Sequence, residues 1–128
     1  MARRRTIDLE GIAHSAPIPM AAAIENLLAT SAIFGADRRT GKVPESVEDE
    51  IACLFDNIRS ILEQAGGSCD DILRMGVLLK ETSLRQIVNT NWLAMFPDDS
   101  DRPARHITVV PDLPVRAQIE LLALLPSK

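Results

Sequence analysis

The chain has 128 residues and a net charge of −4, enough for one domain (1–128) with a core of its own. At 46% hydrophobic and 25% charged it has too much apolar content for a disordered chain, and its acidity gives no global attraction to nucleic acid or to an anionic membrane. No apolar run of about 18 residues is present to span a bilayer. The basic triplet Arg3-Arg4-Arg5 is too short for a transit peptide and reads as a solvated terminus. Cys53 and Cys69 have no metal-site spacing and only His14 and His106 to join them, so they read as reduced thiols of a cytoplasmic protein and no metal is expected.

In chain order, Thr6 to Leu9 alternates weakly, as a first strand does. Pro17-Ile18-Pro19 excludes helix and stiffens the approach to two apolar runs, Met20–Ile24 and Leu27–Ile33. The Glu25-Asn26 pair between them suits a two-residue hairpin turn, with Asn as the residue that tolerates a left-handed conformation. Gly35 to Pro44 is a loop containing a Thr40-Gly41 turn. Ser46 can cap a helix whose first turn carries Glu48, Asp49 and Glu50. Val47, Ile51, Leu54, Phe55, Ile58, Leu62 and Ala65 share one face of it, Cys53 reads as a small core residue, and Gly66-Gly67 ends it.

Ile72 to Lys80 reads as a buried strand. Ser83, with Gln86 completing a capping box, opens a second helix with Leu84, Ile87, Val88, Trp92, Met95 and Phe96 as its apolar stripe. Two strands close the chain, Arg105–Val110 and Ala117–Leu125, joined through Pro111 to Pro114. This succession predicts an α+β fold, one mixed β-sheet with two α-helices on one face. The last strand is apolar at nearly every position after Glu120, so both of its faces look buried. Two layers in a lone chain cannot bury both, which points to an oligomer packed through the open sheet face.

The chemistry-bearing residues are few. There is no tyrosine, no serine in a nucleophile-elbow context and no phosphate loop. Arg105 stands at the start of a β-branched strand just after Pro103. A guanidinium on a rigid strand offers paired donors at fixed spacing, so it can receive a small carboxylate or phosphate. His106 alternates to the opposite face. Ser31 at a strand end and Asn89 within a helix complete a sparse polar set; each also has a structural reading, Ser31 in satisfying the strand end and Asn89 in fastening helix to sheet.

Taken in order, Ala16-Pro17-Ile18, Leu28-Ala29-Thr30-Ser31-Ala32, Thr40-Gly41-Lys42-Val43-Pro44, Asp56-Asn57-Ile58 before Ala65-Gly66, Val88-Asn89, Arg102-Pro103-Ala104-Arg105 and Leu113-Pro114 before Ile119-Glu120 resemble the RidA/YjgF reactive-intermediate deaminase family. The resemblance runs from about His14 to Leu125. It implies a chorismate-mutase-like fold, a homotrimer with ligand clefts between subunits, and cofactor-independent hydrolysis of 2-imino and enamine carboxylates to 2-keto acids and ammonia. Carried over by position, Arg105 clamps the substrate carboxylate, the backbone at Arg105 and Ile107 orients the imine, and Ser31 and Asn89 line the cleft. No metal or cofactor is implied.

This sequence departs from the family pattern at three places. A second glutamate is usual two residues after the one matching Glu120, where it is thought to hold the attacking water; here that residue is Leu122, and Glu120 is left to substitute. The usual cleft tyrosine is Ile18, and the usual glycine after the strand serine is Ala32. The pocket is therefore more apolar. Three readings follow: a deaminase acting on a small carboxylate, a non-catalytic sensor of keto acids in the same cleft, and an endoribonuclease or translation inhibitor. The third is disfavoured by the negative charge and by an aromatic set of one Trp, three Phe and no Tyr.

Overall fold

The first four strands follow from the alternation and punctuation of the N-terminal third, and the computed structural model describes residues 2–127 of the chain. They are β1 (Arg5–Ile7), β2 (Ala21–Ile24), β3 (Leu27–Thr30) and β4 (Ile33–Phe34). β2 and β3 form the expected hairpin, pairing Ile24 with Leu27 across a two-residue turn. The positive φ falls on Glu25, at 54°, and not on Asn26 as its side chain suggested. The favoured two-residue hairpin turns need a positive φ at their first central position whichever residue occupies it.

The apolar run read as one strand to Ile33 is broken. Ala29 pairs with Leu122 and Ile33 with Ile119 of the last strand, β7 (Ala117–Leu124), so one extra residue is inserted between the two pairs. The bulge leaves the Leu121 N–H without a backbone partner, and the Thr30 hydroxyl accepts it at 3.0 Å.

Helix α1 (Val47–Ala65) is built as its periodicity requires. Ser46 accepts the Asp49 N–H at 3.1 Å, and Gly66 ends the helix at φ 90°, where a side chain would be strained. Ile51, Leu54, Phe55, Ile58, Ile61 and Leu62 are fully buried against the sheet. Cys53 lies on the flank of this face, half-buried in a surface depression, and is not a core residue. Two polar residues of α1 are also buried. The Asn57 amide donates to the carbonyls of Phe34 (3.0 Å) and Ala36 (2.9 Å), tying α1 to the chain leaving β4. Replacing Asn57 with alanine strands both acceptors and is expected to cost about 2–3 kcal/mol, read as a lowered urea midpoint at unchanged slope. Glu50 accepts from Arg116 through Oε1 (2.8 Å from Nη1) and Oε2 (3.0 Å from the backbone N), locking the start of α1 to the start of β7.

After β5 (Ile72–Leu79), α2 (Arg85–Met95) starts later than its capping signature proposed. Residues Thr82–Leu84 form a 3-10 turn instead, and the Ser83 hydroxyl bonds Glu81, so there is no capping box with Gln86. The tighter turn satisfies the first orphan donors by i→i+3 bonds, Leu84 N–H to the Glu81 carbonyl among them. β6 (Ala104–Val109) begins directly after Pro103.

The sheet order is β1-β2-β3-β7-β5-β6, with β4 continuing beside β7; β5 and β6 are parallel and the other pairs antiparallel. Both helices cover one face, and one continuous core joins them to it. On the other face β7 presents Gln118, Glu120, Leu122 and Leu124. Leu122 is 38% exposed, Leu124 61% and Leu27 54%, so the strand that looked buried on both faces has one side bare in the single chain. Among the described residues no helix is long and apolar enough to cross a membrane.

Candidate active site

Arg105 pairs with Met75, a fully buried residue under the helices, so its side chain leaves β6 on the helix-covered face. There its Cζ lies 4.7 Å from the centre of the Trp92 ring. Trp92 is itself fixed edge-on by Phe96, with ring centres 4.8 Å apart. Nη1 of Arg105 is buried and has no hydrogen-bond partner, and no described carboxylate forms a salt bridge with this guanidinium. Desolvation, and then the like charge of Arg85, push its pKa below the usual guanidinium value. A half-buried cation with no counter-ion is a standing cost that a bound anion relieves.

The backbone beside it is also available. β6 is the edge of the sheet, and the Val110 N–H bonds the Leu79 carbonyl at 2.7 Å. In a parallel ladder alternate residues bond the same neighbour. His106, Thr108 and Val110 therefore turn their N–H and C=O groups toward β5, and Arg105 and Ile107 turn theirs to the free edge. The guanidinium and these unpaired edge groups border one another.

The other expected site residues are distributed around the sheet. Asn89 lies half-buried on α2 one turn before Trp92; its amide makes no hydrogen bond among the described residues, so it does not fasten helix to sheet. Ser31 lies in the β3–β4 bulge, where its hydroxyl donates to the Pro19 carbonyl at 2.8 Å and its N–H to Met20 at 2.9 Å, fixing the Pro17–Pro19 segment that carries the exposed Ile18. Its hydroxyl oxygen can still accept.

Glu120 pairs with Gly76, and Gly76 with His106, so all three belong to the open face. His106 thus lies opposite Arg105, as alternation requires. A Cβ at Gly76 would sit 3.3 Å from Glu120 Cγ and 3.5 Å from Arg74 Nη1, so the bare glycine leaves room for the Glu120 and Arg74 side chains to fold over it. Ala29, Thr30, Arg74, Glu120 and Leu122 border a shallow depression of about 270 Å³. Arg105 and Glu120 thus occupy opposite faces of one sheet, and a single chain does not unite them. Neither thiol offers a nucleophile: burial first, then the carboxylates of Asp37, Asp56 and Asp49, push Cys53 up, and burial is the main cause for Cys69. In the sequence Trp92 stands in the apolar stripe of α2 and, with Ile18 and Leu122, hints at an apolar pocket. Its position beneath Arg105 depends on the β5–α2–β6 crossover and has no local signature.

The family model described as Endoribonuclease L-PSP matches residues 12–125, and the chain belongs to this family, the RidA/YjgF family. It is 31% identical to the 2-iminobutanoate/2-iminopropanoate deaminase of Escherichia coli (strain K12) over 77% of this chain and 78% of that protein. It is 28% identical to a RutC family protein of Aquifex aeolicus over 83% of this chain and 89% of that one. Among solved structures, RidA from the Antarctic bacterium Psychrobacter sp. PAMC 21119 superposes with a TM-score of 0.87 at 27% identity, covering 94% of this chain and 99% of that one.

Proposed function

We propose that the protein hydrolyses small 2-imino and enamine carboxylates to 2-keto acids and ammonia without a cofactor, in clefts shared between the subunits of a cytoplasmic homotrimer. The observation that carries this reading is the Arg105 guanidinium, buried at Nη1, unpaired, and bordered by free backbone groups of β6. A carboxylate accepts from the guanidinium fork, and the edge groups at Arg105 and Ile107 orient the adjoining imine. A protonated imine is already electrophilic, so the protein has mainly to hold it and direct a water at its carbon. Addition of that water gives a carbinolamine, which loses ammonia to leave the ketone. Glu120 is the carboxylate assigned to the water. Its place on the opposite sheet face is the reason a second subunit is required, and the bare leucines around it supply the contact surface. Ser31, Asn89, Ile18 and Leu122 form the remaining walls.

The test is ammonia and 2-oxobutanoate release from 2-iminobutanoate generated in solution, beside calorimetry with 2-oxobutanoate. Turnover supports the deaminase. Binding without turnover supports the second reading, a keto-acid sensor, which Leu122 at the usual glutamate position favours. Leu122→Glu separates them further: it is expected to raise kcat at least about 10-fold in a weak deaminase and to leave a sensor inert. The nuclease reading is disfavoured by the absence of Tyr, a total of four Phe and Trp residues and a net charge of −4.

A further inference from the structure

The arginines with an ordered place in this protein are mostly held by hydrogen bonds they donate. Arg102 gives its Nε–H to the Phe96 carbonyl at 2.9 Å, Arg116 gives both ends to Glu50 and Glu45, and Arg5 gives Nη2–H to the Ala65 carbonyl. Arg105 is different. It is half-buried with Nη1 unpartnered, and the contact that orients it is the face of the Trp92 ring, 4.7 Å away. A ring face attracts the flat side of a guanidinium, whereas hydrogen bonds leave from its edge.

We infer that Trp92 is the positioning residue of the site, seating the Arg105 guanidinium over its ring face without consuming a hydrogen-bond donor that the ligand's carboxylate needs. The ring can act as a rigid seat because Phe96 packs edge-on against it at 60° and the pair is buried in the core. Arg85 contributes a second positive charge nearby. A carboxylate or carbonyl in place of the ring would orient the arginine equally well but would occupy the donors that the substrate needs. The ring also shields one side of the guanidinium from water, which strengthens the hydrogen bonds made at its edge. This inference rests on the reading of Arg105 as a carboxylate receptor.

Trp92 is the only tryptophan in the chain, so biosynthetic replacement with fluorinated tryptophans alters this one ring. Fluorine withdraws charge from the ring face with little change in shape. In the full-length protein, the Kd for 2-oxobutanoate measured by calorimetry is expected to rise stepwise from tryptophan to mono- and difluorotryptophan, by about 5- to 10-fold in total, at an unchanged thermal midpoint. Trp92→Phe, which keeps a smaller ring face, is expected to bind more tightly than Trp92→Leu. A flat Kd across the fluorinated series, with binding intact, overturns the role given to Trp92 and leaves the carboxylate reading standing. Absence of 2-oxobutanoate binding in the unsubstituted protein overturns the carboxylate reading itself.

Discussion

Arg105→Ala is expected to lower kcat/KM for 2-iminobutanoate by about 10³-fold, the loss of a bidentate, partly desolvated charge pair with the substrate. The same substitution is expected to change the thermal midpoint little and to leave the light-scattering mass in place, because the guanidinium makes no salt bridge among the described residues and its desolvation offsets the contact with the Trp92 ring. Loss of function without loss of stability separates a receptor from a structural arginine. Arg105→Lys retains the charge but not the fork, and falls between the two. Parent-like ammonia release from the alanine variant would remove the basis for the proposed chemistry.

Arg116→Met carries the largest expected stability effect, about 3–5 kcal/mol, because it leaves a buried carboxylate without its cation. Glu50 is 1% exposed, and Arg116 supplies both of its partners, one through the guanidinium and one through the backbone. The substitution is asymmetric. The Arg116 side chain is 36% exposed and can turn to water if Glu50 is removed, so Glu50→Gln, which keeps the acceptor for the backbone N–H, costs less. Urea unfolding at one fixed protein concentration, which keeps any assembly equilibrium constant, checks both. A loss below about 1 kcal/mol in Arg116→Met would mean that the carboxylate finds another partner or is reached by water.

Features encoded locally were legible in the sequence. Ser46, the 3.6-residue spacing from Val47 to Ala65 and Gly66 define α1 without help from the rest of the chain. Pro103 marks the start of β6 because proline lacks the donor a ladder needs. Features decided by distant partners were not. The Thr30–Ala32 bulge is visible only once β3 and β4 are set against β7, and Glu25 is left-handed because the β2–β3 register demands it. The start of α2 followed the 3-10 geometry and not the Ser83 signature. The site divides in the same way. Arg105 could be singled out from its own strand, and its opposition to His106 from alternation. That Arg105 and Glu120 face opposite sides requires the register of three strands, β6, β5 and β7.

The placement of β7 between β3 and β5 bears on how the protein is made. Until residues 117–124 have left the ribosome, a nascent chain has both helices and the six other strands but no middle to its sheet. β3 and β5 then present unpaired edges and uncovered apolar side chains at once. Closure of the sheet is the most non-local step of folding, since it joins β7 to residues some 90 positions earlier, as Leu121 and Thr30 are. Premature termination within β7 should therefore yield an aggregating polypeptide rather than a smaller functional unit.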